Sequence, residues 1–299
     1  MKKLLLFLFV AVMMPQFVSA ATSGENTITI GTIVYDLRDI DARFKELHDA
    51  GFNSCEINYH SQLCNAELAK QIRKASKKWN IRVTTVVGVP GHSEWNFKKG
   101  PSTIGLVPAE GREEKIATYH NMIDFCVEAG VPYMHSHFGF IPIDPCSEQY
   151  KDFIVVMKQL AEYAKERGID ILFETGQETP VTLIRAIKDI AVGNCFINCD
   201  LANLLLYGNA NSLDAVKQFG SLIKEFHAKD GHYPNPENPY ELGEEVPIPQ
   251  GEVDFPGVIK ELKRVGFTGA LTIECELNES EFEYLVNTRK YLQGLIDEE

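Results

Sequence analysis

The stretch GALTIECE at residues 269–276 decides how the rest of the chain is read. Leu271 and Ile273 read as a buried strand, and the helical pattern at 255–265 that precedes it ends at Gly266. Glu274 and Glu276 are two apart, so they face the same side of that strand. An ionised carboxylate buried without a partner is costly. A strand that carries such charge at its end needs a cation or solvent there.

Working outward, the same unit of short apolar run and amphipathic helix recurs eight times. Strands are expected at 28–34, 53–58, 81–88, 132–138, 169–174, 194–200, 221–227 and 270–275. Helices are expected at 40–50, 65–79, 112–129, 147–167, 180–191, 212–219, 255–265 and 279–297. Gly51, Gly130, Gly168 and Gly266 each follow a helix, as C-terminal glycines do. Asn65, and Ser102 or Glu110, are candidate helix starts. Strand and helix alternate without consecutive strands, which predicts a parallel sheet. Eight such units fit an α/β fold of the (β/α)8 TIM-barrel type. A doubly wound sheet would show a glycine-rich first turn, and there is no G-x-G-x-x-G, P-loop or G-x-S-x-G here.

Residues 1–20, MKKLLLFLFVAVMMPQFVSA, have a basic start, an apolar run and small residues at Val18-Ser19-Ala20. That is the pattern of a secretory signal peptide. The expectation is an exported, periplasmic or secreted protein with a single barrel domain over 21–299, and no membrane attachment after cleavage. The whole chain carries a formal charge of −13, and losing Lys2 and Lys3 takes it to −15. That acidity argues against a nucleic-acid partner, whose phosphates need Lys and Arg. The seven cysteines (55, 64, 126, 146, 195, 199 and 275) lack metal-knuckle spacing. They read mostly as small core residues, with a disulfide left open by the exported setting.

In a barrel of this type the C-terminal strand ends build the site. Those ends offer Glu56, His92 just past the third strand, His135 and His137, Glu174, Asp200, His227 and Glu274. Any one of them has an ordinary structural use, but Glu174, Asp200, His227 and Glu274 end four strands in succession. Three carboxylates and an imidazole suit one divalent cation, Mn²⁺ first, with Mg²⁺, Co²⁺ or Zn²⁺ also fitting. Without a cation the carboxylates would raise one another's pKa.

The segments ILFETG around Glu174, INCDLAN around Asp200, EFHAKDG around His227, PQGEVDFPGVIKELKRVGFTG at 249–269 and LTIECE around Glu274 resemble the xylose isomerase-like barrels, a family of sugar phosphate isomerases and epimerases. The resemblance covers most of the chain after residue 20. It implies that Glu174, Asp200, His227 and Glu274 bind one divalent metal. It also implies that Glu174 and Glu274 act as acid and base on a sugar, through an enediolate that a Lewis acid stabilises. Return of the proton to the opposite face gives epimerisation. Return to the neighbouring carbon gives isomerisation, and loss of a β-leaving group gives elimination.

Substrate contacts are expected from His92, His135, His137, Lys229 and Trp95, and Lys229 could instead pair with Asp230. Trp95 and Phe97 lie on the long loop 89–111. The other long loop, 228–253, contains HYPNPENPYELGEEVPIPQ, which reads as a flap, a solvated loop or an oligomer contact. The chain departs from the ketose 3-epimerase pattern at Asn203, Tyr233, Pro180 and Pro249. Those departures, with the export signal, point to an unphosphorylated sugar or keto-glycoside. The leading expectation is a sugar isomerase or epimerase. The alternatives are a 3-keto-glycoside lyase or hydratase, an apurinic-endonuclease-like zinc enzyme, which Asn203 disfavours, and a non-catalytic sugar- or metal-binding barrel. A homo-oligomer is compatible with all of them.

Overall fold

The computed structural model describes residues 28–277 and 282–298. The expected signal peptide and the first residues of the last helix lie outside them. Eight parallel strands close a barrel: β1 (Thr29–Val34), β2 (Ser54–Asn58), β3 (Arg82–Val87), β4 (Tyr133–Ser136), β5 (Asp170–Glu174), β6 (Cys195–Asp200), β7 (Ile223–Ala228) and β10 (Ala270–Ile273). Ile30 and Leu271 sit side by side where β1 meets β10 and seals it. The expected (β/α)8 TIM barrel is the fold.

Seven of the described helices begin where a side chain satisfies the first N–H groups. Asn65 caps α2 (Ala66–Trp79), accepting from the N–H groups of Glu67 and Leu68. Ser147 caps α5 (Glu148–Glu166) and Thr179 caps α6 (Pro180–Ile190). Neither Ser102 nor Glu110 starts α4 (Arg112–Ala129). Gly111 does, at φ +65°, and Ser102 falls in the short α3 (Gly100–Thr103). Gly105 shows why that loop needs glycine: at φ +66°, a Cβ there would lie 2.0 Å from the carbonyl carbon of Phe138. The helices α1 (Ile40–Asp49), α8 (Ser212–Phe219), α9 (Phe255–Arg264) and α10 (Phe282–Asp297) complete the outer ring. Their inward apolar residues, such as Phe44, Leu47, Phe219 and Leu262, are buried. Each side chain of this kind contributes about 1.5–3 kcal/mol. All seven cysteines are free, and Cys55, Cys126, Cys195 and Cys199 are buried as small core residues.

Besides the short α3, three elements near the site were not expected. Helix α7 (Leu201–Leu206) follows β6 directly, and all six of its residues are buried. A two-stranded antiparallel ladder joins β8 (Asp230–Gly231) to β9 (Glu245–Val246). It gives the 228–253 segment the base of a flap, while residues 235–241 at its tip are exposed. The anchor of that flap is Asp230, whose carboxylate accepts from the N–H groups of Gly231 (2.9 Å), Gly251 (2.8 Å) and Val253 (3.0 Å). Asp230 is therefore not the ion-pair partner of Lys229.

Charged hydrogen bonds of this kind contribute about 1.5–3 kcal/mol each. Asp230→Ala should destabilise the protein by about 3 kcal/mol or more in denaturant unfolding. It should also speed amide exchange across 231–253 ahead of the rest of the barrel.

Candidate metal and active site

The strands deliver their polar ends to one point. The register pairs Glu174 with Asn198, and Asp200 with His227. A bulge between Ile197 and Asn198 resets β6 against β7, and a second between Cys55 and Glu56 resets β2 against β3. Bulges re-aim side chains, and both of these lie beside site residues.

His227 is the hub and is 1% exposed. Its Nδ1 lies 3.0 Å from Glu274 Oε2, 3.5 Å from Glu174 Oε2 and 4.0 Å from Asp200 Oδ2. Its Nε2 lies 3.3 Å from Glu56 Oε1 on the other edge of the ring. The Nδ1 edge therefore faces the expected ligand set, while Glu56 holds the ring from behind. A carboxylate on the second ring nitrogen is the usual way a metal-binding imidazole is oriented. His135 is equally buried. Its Nε2 meets Glu174 Oε2 and its Nδ1 lies 3.6 Å from Glu56 Oε2. Asn198 Nδ2 donates to Glu174 Oε2 at 2.9 Å.

Several buried polar atoms at the site lack a hydrogen-bond partner, Glu56 Oε2, Asn198 Oδ1 and the His135 nitrogens among them, and so do two oxygens of the expected ligands, Glu174 Oε1 and Asp200 Oδ2. A buried acceptor left unsatisfied is costly, and a cation is the partner both oxygens suit. Ligand atoms of Glu174, Asp200 and His227 all lie within 4.8 Å of one another, and Glu274 adjoins His227. A second group, Glu56, His135 and His227, meets the same distance criterion. Its charges are complementary, with two imidazoles 3.3 and 3.6 Å from Glu56, so it reads as the support behind His227.

Electrostatics express the same crowding. Burial opposes charge on His227, but Glu174, Glu274 and Glu56 raise its pKa well above the usual imidazole value. Burial opposes it on His135 too, yet Glu174 and Glu56 bring that ring up to about 9. Burial would raise Glu56, but His227 and His135 hold it down at about 2. Glu174 is held below its ordinary value by the same two rings, and Glu274 by Lys229 and His227. Asp200 goes the other way: burial first, then Glu274 and Glu174, raise it well above a normal carboxyl. The site thus favours a proton on His227 and disfavours charge on Asp200, and a divalent ion would reverse both.

A cavity of about 210 Å³ opens over this floor. It is small beside typical ligand cavities of roughly 300–1,000 Å³. Its lining includes His135, His137, Glu174, Lys229 and Glu274 below, with Trp95, Tyr207, Leu206 and Leu242 as an apolar collar. Burial lowers His137 to about 4, so it is a neutral ring at physiological pH, and its Nδ1 lies 3.0 Å from Gln177 Oε1. Trp95 stands edge-on to it, with ring centroids 4.8 Å apart. Of the residues expected to touch substrate, His92 is not brought to the site. Its side chain is 78% exposed beside Glu94, and it lines a separate surface pocket near α4. The residue lies past the end of β3 on a loop that turns outward there. Asn198, Tyr35 and Glu245 were not anticipated. Asn198 could have been, since it lies two before Asp200 and shares its face.

The family model of the xylose isomerase-like TIM barrels matches residues 44–293. The chain belongs to the xylose isomerase-like TIM-barrel family. A xylose isomerase domain protein from Planctomyces limnophilus superposes with a TM-score of 0.83 at 27% identity, over 90% of this chain and 97% of that one. A 2-oxo-tetronate isomerase of Pectobacterium atrosepticum is 24% identical over 79% of this chain and 85% of its own length. A 3-keto-D-glucoside 4-epimerase from E. coli shares the fold, with a TM-score of 0.64 at 16% identity over 90% and 100%. An uncharacterised protein of Methanocaldococcus jannaschii matches at 28% identity, and the chain spans about half of it (48%).

Ligation requires unprotonated side chains. Divalent-metal uptake at pH 7 should therefore release protons, seen as a binding enthalpy that changes with the buffer's ionisation enthalpy. Affinity should rise from pH 6 to pH 8. Glu56→Gln should weaken metal binding about 10–100-fold in chelator competition and, by leaving two buried imidazoles without their carboxylate, should also lower the thermal unfolding temperature.

Proposed function

We propose that this protein is a metal-dependent sugar isomerase or epimerase that acts outside the cytoplasm, moving a proton on the carbon beside a carbonyl. The observation that carries this reading is the pair of ionised, cavity-lining carboxylates, Glu174 and Glu274, which come from the fifth and eighth barrel strands and meet at the Nδ1 edge of His227. Kinship with isomerases and epimerases supports it.

Glu174, Asp200, His227 and Glu274 would hold the ion, which when bound supplies Lewis-acid polarisation of the substrate carbonyl. The protein's own groups do the rest. Asn198 and His135 hold Glu174 through Oε2, which orients the carboxylate that takes the proton. Glu274, held through Oε2 by His227 and Lys229, faces the cavity from β10's end and shares in removing and returning the proton. His137, neutral and fixed by Gln177, offers Nε2 to a substrate hydroxyl. Trp95 and Tyr207 give a sugar ring an apolar wall and exclude water. β-Elimination from a 3-keto-glycoside would use the same two carboxylates and differ only in what leaves. A nucleic-acid substrate fits poorly with this acidic floor.

Glu174→Gln and Glu274→Gln should each lower solvent-deuterium incorporation into a keto sugar by about 10²–10⁴-fold. Persistence of exchange in both would refute the assignment. Incubation with a 3-keto-glucoside separates the reactions: a new epimer with the aglycone retained, or free aglycone.

A further inference from the structure

Lys229 is 4% exposed and follows the metal-facing His227 by two residues. Its ammonium lies 3.4 Å from Glu274 Oε2, 3.8 Å from Glu276 Oε2, and 4.0 Å from both Asp200 Oδ2 and Glu245 Oε2. Among the described residues lining the cavity it is the one lysine, and no arginine is there. His135, the other positively charged group, is matched by Glu174 and Glu56. Glu274 and Asp200 belong to the metal. Glu245 and Glu276 do not, yet both are directed at the same ammonium. Their placement is built in. Glu245 stands on β9, paired with Gly231, and its Oε1 accepts the backbone N–H of Glu276 at 3.0 Å.

Sites that take carboxylates or phosphates present forked arginines, free ammoniums or open helix N-termini. Here the ammonium donates to Glu274 and has two further carboxylates, Glu276 and Glu245, at 3.8 and 4.0 Å, and the start of α7 is closed by Asp200 itself. We propose that Glu245 and Glu276 are specificity determinants: they cancel Lys229 and restrict the metal site to uncharged sugars, refusing those that carry a carboxylate or phosphate. This rests on the sugar-enzyme reading above and deepens it. It gives a purpose to the second carboxylate of the 269–276 strand, which points to the rim and not to the metal.

The test uses the metal-loaded full chain. Neutral ketohexoses and 3-keto-glucosides are assayed for solvent-deuterium exchange beside their 6-phosphate and uronate counterparts. The accepted neutral sugar should exceed its anionic counterpart by at least 100-fold in kcat/KM. In the double variant Glu245→Gln, Glu276→Gln, that ratio should fall tenfold or more through a gain on the anionic member. The double Asp variant should keep the discrimination, and metal stoichiometry serves as the folding control. An anionic sugar turned over as well as its neutral partner overturns the inference, as does a ratio unmoved by the double Gln variant. Absence of exchange with every sugar of either charge overturns the sugar-enzyme reading on which it rests.

Discussion

The structure depends on how negative charge is kept inside a closed barrel. Glu56, Glu174 and Asp200 are each at most 4% exposed, and carboxylates of that kind cannot be buried alone. His227 makes it feasible. One ring nitrogen faces Glu56 and the other faces Glu174, Asp200 and Glu274, so a single imidazole ties the second strand to the fifth, sixth and eighth barrel strands. His135 repeats the device between Glu56 and Glu174. These two rings carry in the metal-free protein the positive charge that an ion would bring. They also fix the carboxylates so that little reorganisation is left for binding.

That network is possible because the parallel ladder is locally irregular. A regular register would not bring Asn198 and Asp200 level with Glu174 and His227 together. The bulge between Ile197 and Asn198 absorbs the mismatch, and the one beside Glu56 turns that carboxylate toward both imidazoles. Asp200 carries two duties at once. One oxygen caps α7, and the other is left for the ion. A helix start therefore fixes the ligand's orientation without any side chain added for the purpose.

Much of this was legible in the chain itself. Alternating apolar runs and amphipathic helices give the eight strands to within two residues at most ends, because burial patterns are local. Polar residues at strand ends pick out Glu174, Asp200, His227 and Glu274 as neighbours for the same reason. What pattern cannot carry is direction beyond a strand's end. His92 lies five residues past β3 and turns to solvent, whereas Trp95, three residues on, turns back over His137. Helix α7 was hidden because LANLLL is too short to show a period. The role of Glu56 was hidden because it depends on a contact 171 residues away in the chain.

Asp230 has a consequence for how such a protein can change. Both ends of the flap are gathered by that one carboxylate, through Gly231 on one side and Gly251 and Val253 on the other. The intervening segment touches the cavity through Leu242 but supplies none of the proposed metal ligands. It behaves as an exchangeable cassette. Its length and composition can vary between the two clasp points while the ligand frame beneath stays in register, so substrate range can be altered by loop grafting without rebuilding the catalytic floor.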